Sequence, residues 1–261
     1  MTNAYTAIVT GASDGLGKSF ALELASRKFN LVLISLKNAG LPQLGNYIRK
    51  NFDIGVTIIE CDLTDSASCA TIFQVLSSKQ IVANILINNA GIGNFSLLGD
   101  KDGQFYQYQI TLNTIIPVLM TRLFLKQVDV NDKQYILNVG SLGSRYLVPR
   151  KQVYGATKSF IEYFTRSMQL ELSGSNVSVS LLSPGGINTK PELLLLNQQL
   201  KGIARASITE ANKVAREGIN GMLERKKEII PGNINKIMAA VSAFIPQYFQ
   251  NAILRRKLNT A

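Results

Sequence analysis

Two side chains in the run Tyr154-Gly155-Ala156-Thr157-Lys158 could move a proton. Four residues apart on a helix, they share one face. A free phenol has a pKa of about 10 and is a poor acid–base group at neutral pH. A cation one turn away favours the phenolate and lowers that value. The pair can then trade a proton with an alcohol or carbonyl oxygen. The same spacing also occurs on solvated helix faces, so its meaning rests on what precedes it.

What precedes it is a candidate nucleotide site at the N-terminus. Ala7-Ile8-Val9 is a short apolar run that reads as a buried strand. Thr10-Gly11-Ala12-Ser13-Asp14-Gly15-Leu16-Gly17 follows at once, and Phe20, Ala21, Leu24 and Ala25 then recur at helical spacing. Strand, glycine turn and helix are the setting a dinucleotide fingerprint requires, although the spacing is Gly-x-x-x-Gly-x-Gly rather than Gly-x-Gly-x-x-Gly. Glycine lets backbone approach a pyrophosphate, and the helix N-terminus offers free N–H groups. The competing reading is an ordinary glycine-rich turn.

The elements that must hold these groups alternate. Strands are expected at 7–10, 31–35, 56–60, 85–87, 135–139 and 177–182. Helices are expected at 19–28, 41–50, 66–77, 105–126 and 153–173. Such alternation with short connections implies right-handed crossovers and a doubly wound parallel sheet, an α/β three-layer αβα sandwich. Ligands then sit at the carboxyl ends of the strands. Beyond Pro191 the pattern weakens. A helix is expected over 209–223 with Thr209 as its N-cap. Residues 190–222 are read as a segment on the substrate side, either a mobile lid or a surface helical hairpin.

The chain has 261 residues, is 46% hydrophobic and shows no low-complexity linker, which suits a single domain spanning 1–261. Its first strand starts within a few residues of Met1, so no signal peptide is expected. Cys61 and Cys69 read as unpaired thiols of a reducing, cytoplasmic setting. No histidine is present, which argues against His-based triads and most zinc catalysis, and no metal is expected. The net charge of +11 comes from scattered Lys and Arg without a nucleic-acid motif, so nucleic acid is not expected as a partner.

Taken in order, Thr10-Gly11-x-x-x-Gly15-x-Gly17, Asn88-Asn89-Ala90-Gly91, Asn113, Ser141, Tyr154-x-x-x-Lys158 and Pro184-Gly185 resemble the motif set of the short-chain dehydrogenase/reductase family. The resemblance spans about residues 5 to 230 and implies a Rossmann-type fold and an NAD(P)H-dependent oxidoreductase acting on a carbonyl/alcohol pair. It implies that Tyr154 is the acid–base residue and that Lys158 holds the nicotinamide ribose and lowers the tyrosine pKa. By the same resemblance, Ser141 fixes the reacting oxygen and Asn113 holds a water linked to Lys158. The cofactor would lie along Gly11, Ser13, Gly15, Leu16 and Gly17, with Asp62 and Leu63 near adenine and Asn89, Ala90 and Gly91 beneath it. Pro184, Gly185, Ile187 and Thr189 would cover the nicotinamide.

The second strand ends Ile34-Ser35-Leu36-Lys37, where an NAD enzyme commonly places a carboxylate. Ser35 and Lys37 instead suit a 2′-phosphate, so NADP is expected, with NAD as the alternative. Pocket candidates are 93–95, 142–148 and 191–200, largely apolar, which points to an apolar ketone or aldehyde; Arg145 and Arg150 leave room for an acidic one. The family forms homodimers or homotetramers through the helices carrying Asn113 and Tyr154. The chain departs from the family after Ile229-Ile230-Pro231-Gly232-Asn233. There an extended tail, 232–261, replaces the usual strand and Asp-Gly-Gly signature, and a helical extension is expected. Pro246, Gln247, Gln250 and Asn251 break its apolar stretch, so a membrane-spanning helix is not expected. The alternatives are a cofactor-binding protein with little catalysis and a peripheral membrane lipid-ketone reductase.

Overall fold

The computed structural model describes residues 5–127, 132–145, 147–188 and 202–244. The strands β1 (Thr6–Thr10), β2 (Asn30–Ser35), β3 (Val56–Glu60), β4 (Ile85–Asn88), β5 (Gln134–Val139), β6 (Val177–Leu182) and β9 (Glu228–Ile229) form one parallel sheet. Its strand order is β3-β2-β1-β4-β5-β6-β9. The order reverses between β1 and β4, which opens a crevice at their carboxyl ends. Strands β7 (Ile187–Asn188) and β8 (Thr209–Glu210) pair separately.

The central strands are apolar on both faces because both faces are covered. Ala7 and Val9 of β1 point into one core with Leu16, Phe20 and Leu24 of α1 (Gly15–Ser26), Leu41 and Ile48 of α2 (Leu41–Asn51), and Val214, Ile219 and Met222 of α8 (Ala211–Leu223). Ile8 points the other way, towards Ile72 and Leu76 of α3 (Ser68–Ser78), Ile116, Met120 and Phe124 of α5 (Ile116–Leu125), and Met168 of α6 (Gln152–Glu171). The remaining helices are α4 (Gly103–Ile110), the short α7 (Gly202–Ala206) and α9 (Asn233–Phe244). The doubly wound three-layer αβα architecture is the one expected from the sequence.

Four local expectations change. The first helix begins at Gly15, four residues early, because the Asp14 carboxylate accepts from Gly15 N at 2.7 Å and caps it. The helix expected over 105–126 is interrupted by a π turn at Thr111–Ile115. Thr209 pairs with Ile187 in β8 instead of capping the next helix. The strand that seemed to be missing near the C-terminus is present as β9, only two residues long. Of the lid segment, α8 packs Val214, Ala215, Ile219 and Met222 into the core, so a lid of mobile residues does not extend over 211–222. Residues 189–201 lie outside the described residues, as does the extension beyond Phe244.

Candidate active site

The glycine turn has a shape that side chains would destroy. Gly11 and Gly15 take positive φ, 64° and 54°. A Cβ on Gly17 would fall 1.9 Å from the Gly11 carbonyl oxygen and 2.7 Å from Asn89 Nδ2. The turn is sewn to the neighbouring strand end. Asn89 Nδ2 donates to the Thr10 and Gly11 carbonyls, at 2.9 and 3.2 Å. Thr10 Oγ1 accepts from the N–H groups of Asn89 and Ala90, at 2.9 and 3.0 Å, and donates to the Ile87 carbonyl at 3.2 Å. With Gly15 N capped, the N–H groups of Leu16 and Gly17 remain without intrahelical partners by position. They belong to the first turn at the positive end of α1, an arrangement suited to an anion.

The other expected nucleotide contacts divide. Ser35 is buried at the end of β2 and its hydroxyl donates to the Leu36 carbonyl at 3.1 Å, whereas Lys37 is exposed. Asp62 Oδ1 accepts from Thr64 N and Thr64 Oγ1, at 2.9 and 2.8 Å, so part of its carboxylate shapes the turn into α3. Leu63 is buried in the core. Ser13 is half-buried beside the turn.

Tyr154, Lys158, Ser141 and Asn113 meet at the carboxyl ends of β4 and β5. Both Tyr154 and Lys158 stand on α6, and Lys158 Nζ lies 5.8 Å from the centre of the Tyr154 ring. Lys158 is 6% exposed and donates to the Val139 carbonyl at 2.8 Å. Burial pulls its ammonium down to about 8. The Ser141 hydroxyl lies close to the Tyr154 phenol and favours its charged form. Burial raises the Tyr154 pKa and the Ser141 hydroxyl opposes the rise. Without a bound ligand, desolvation therefore outweighs the lowering expected from the neighbouring cation.

The position of Asn113 in the π turn has a covalent reason. Pro117 has no N–H, so the Asn113 carbonyl cannot take the bond that residue 117 would give it in an α-helix. The turn rewinds, and Ile116 N reaches back five residues to the Thr111 carbonyl. Asn113 Nδ2 donates to the Ile92 carbonyl at 2.9 Å and to Thr157 Oγ1 at 3.1 Å, while its Oδ1 accepts from Ile92 N at 2.9 Å. Both side-chain donors are used, so a water held here would have to use the second lone pair of Oδ1 or the backbone. Gly91 leaves the space beside Lys158 open: a Cβ there would lie 3.0 Å from Asn113 Oδ1 and 3.7 Å from Lys158 Nζ.

Pro184 accepts from Leu142 N at 2.9 Å, which ties the loop after β6 to the loop bearing Ser141. Gly185 lies directly against Asn235 of α9, whose oxygen would be 2.6 Å from a Cβ there. Asn235 is 1% exposed and donates to the carbonyls of Ser207 and Pro231, both at 2.9 Å. It organises the floor below Pro184, Gly185 and Ile187, and no spacing in the sequence marks it. Thr189 lies outside the described residues.

Arg145 bonds Glu228 and approaches Glu162 at 3.7 Å. It therefore braces the sheet edge and is not a free cation for substrate. Leu142 is 1% exposed and belongs to the core. Phe95 and Leu147 are exposed at 65% and 58%, and Phe95 follows two residues after Gly93, where a Cβ would lie 2.9 Å from the Tyr154 ring.

Known proteins account for this arrangement. The model of the family described as short chain dehydrogenase matches residues 5–195. The chain belongs to that family. Among its short-chain dehydrogenase relatives, "Very-long-chain 3-oxoacyl-CoA reductase-B" of Danio rerio is 32% identical over 189 residues, covering 70% of this chain and 60% of the relative. "17-beta-hydroxysteroid dehydrogenase type 3" of Homo sapiens is 29% identical over 265 residues, covering 97% and 83%. The chain thus spans only about three fifths of several curated relatives it matches. Two solved family structures share the fold. A short-chain dehydrogenase from Sphingobium yanoikuyae in complex with NADPH has TM-score 0.77 and 24% identity, covering 93% of this chain and 97% of that one. A short-chain dehydrogenase/reductase from Burkholderia phymatum in complex with NAD has TM-score 0.79 and 22% identity, covering 92% of each.

Proposed function

We propose that this chain is an NADPH-dependent reductase that converts an apolar ketone or aldehyde to an alcohol, with Tyr154 as the proton donor. One observation carries the reading: Tyr154 stands beside a buried Lys158 with Ser141 close to its phenol, in a chain whose glycine turn cannot accept a side chain.

The turn supports a nucleotide. Gly11, Gly15 and Gly17 keep its floor at backbone height, and the N–H groups of Leu16 and Gly17 suit a pyrophosphate. When bound, the cofactor supplies a hydride to the carbonyl carbon. The residues of the chain handle the oxygen. Ser141 donates to it and fixes its position, and Tyr154 delivers the proton as negative charge develops. With its pKa raised by burial, Tyr154 keeps that proton at neutral pH, the form a proton donor requires. Lys158 lies where it can bond the ribose through the gap left by Gly91.

NADPH is favoured over NADH because the end of β2 presents Leu36 and Lys37 and no carboxylate. Buried Ser35 contributes less than its position in the sequence suggested. Exposed Phe95 and Leu147 favour an apolar substrate, and relatives named for 3-oxoacyl-CoA and hydroxysteroid substrates agree in kind. Cys61 and Cys69 are unpaired, and burial pushes Cys69 up to about 11, which suits a reducing, cytoplasmic setting.

The test is NAD(P)H oxidation with a carbonyl panel. NADPH should bind more tightly than NADH, and Tyr154→Phe should lower kcat by about 10²–10⁴-fold while leaving NADPH binding intact. Retained turnover would remove Tyr154 from its role. Cofactor binding with no turnover on any substrate would instead favour a binding protein of this fold.

A further inference from the structure

Lys151 is placed where a lysine finds an aromatic face but no counter-charge. It is the residue from which α6 departs, at the positive end of that helix, where a cation is opposed rather than favoured. No acidic residue lies in the first turn of α6, and no side chain caps it. Lys151 Nζ sits 5.3 Å from the centre of the Tyr154 ring, the catalytic group of the proposed reaction. Among the described residues it makes no ion pair; the six that occur involve other side chains. Burial lowers its pKa, and no neighbouring carboxylate enters as a cause. Next to it, Arg150 holds a left-handed backbone, φ 65°, which a non-glycine residue adopts at a cost. Its guanidinium lies 5.9 Å from the centre of the Phe95 ring.

Two cations, one of them partly desolvated and neither paired with a carboxylate among the described residues, therefore stand beside the catalytic tyrosine and the exposed Phe95. Each cation gains a cation–π contact but no counter-charge, so a ligand that supplied the missing charge would gain affinity here. We propose that Lys151, assisted by Arg150, anchors a negatively charged group of the substrate, so that the preferred carbonyl compound is an anionic amphiphile: an apolar chain with an acidic group. The proposal rests on the reductase reading and names its substrate class. It is specific to these two positions, since Arg145, the other arginine near the site, is already paired.

The acidic group could be a carboxylate close to the carbonyl or the phosphates of a thioester carrier. Three substrates with the same medium-length 3-oxo chain separate these: the free acid, the coenzyme A thioester and the neutral methyl ester. At low salt, kcat/KM for at least one anionic member should exceed that for the ester by about tenfold. Lys151→Met should erase the difference by raising KM for the anionic member more than for the ester. Lys151→Arg should restore it, and raising the salt should weaken it. Preference for the acid alone places the charge beside the carbonyl, and preference for the thioester alone places it on the carrier. Equal kcat/KM across the three in the parent enzyme overturns the proposal. So does a preference that survives Lys151→Met. Turnover of the ester by both proteins keeps the reductase reading standing whichever way the charge preference falls.

Discussion

Lys158 carries an ammonium into a place where an ammonium is poorly solvated, and this has a consequence for stability. Its pKa falls from about 10.5 unfolded to about 8 folded. Between those values the unfolded chain holds a proton that the folded chain has released, so unfolding takes up protons and stability rises with pH. The destabilisation is complete below about pH 8 and is relieved as pH climbs through the window. Lys158→Met should therefore abolish turnover and yet stabilise the protein without ligand. We expect a Tm increase at pH 7 of about 2–4 °C for each ~1 kcal/mol recovered, shrinking towards pH 9.5. Lys151, whose pKa is also lowered, titrates in both proteins and cancels in the comparison. Equal melting at pH 7 would show that the Val139 carbonyl already compensates the charge. Tyr154 points the other way. With its pKa raised, carbonyl reduction should hold steady through neutrality and decline only on the alkaline side, while alcohol oxidation should climb with pH; initial rates in both directions from pH 6 to 10 check this.

At the scale of elements, the π turn and the glycine turn are the two departures from regular structure that build the site. Replacing Asn113 with the near-isosteric Leu would leave Ile92 N, the Ile92 carbonyl and Thr157 Oγ1 without their partner. The expected cost is about 2–4 kcal/mol, read as a lower denaturation midpoint at unchanged m. Gly17→Ala should act differently, because its Cβ meets backbone. The turn must open, so NADPH affinity should fall at least about tenfold, the equivalent of ~1.4 kcal/mol, with far-UV dichroism unchanged. The strands and most helices were legible because apolar runs and helical periodicity survive in the sequence. The π turn breaks periodicity by a single residue, which is invisible against a long apolar helix, though Pro117 four residues after Asn113 was a usable signal. Strand β9 has no periodicity to read in two residues, and its place is fixed by pairing with Leu181 and Leu182. Of the site, Tyr154, Lys158, Ser141 and the glycines were legible from type and spacing. Asn235 was not, since its contacts with Ser207 and Gly185 come from segments far from it in the chain.

For the whole molecule, the outer faces of α5 and α6 remain uncovered. Ile115, Phe160 and Tyr163 are exposed, Tyr163 at 77%, whereas Ile116 and Ile161 point inward. The sequence could not divide these residues between core and surface, because both helices are apolar on more than one side. An aromatic and aliphatic face of this kind is best covered by a second copy, and we propose a homo-oligomer built on it. Light scattering should give at least a dimer at micromolar concentration, and Phe160→Asp with Tyr163→Glu should give a monomer. A parent protein that is monomeric under those conditions would contradict the proposal.

Asn235 also sets where this protein can be cut. Although α9 follows the last strand and looks like an appendage, its first turn carries the side chain that holds residues 207, 209 and 231 together beneath Gly185. A chain truncated before Asn233 would lose more than a tail, because the loop expected to cover the nicotinamide would lose its underside. Protease trimming should therefore stop on the far side of this turn for as long as the enzyme remains competent. The shortest active fragment is expected to retain Asn235 even though the last strand ends at Ile229.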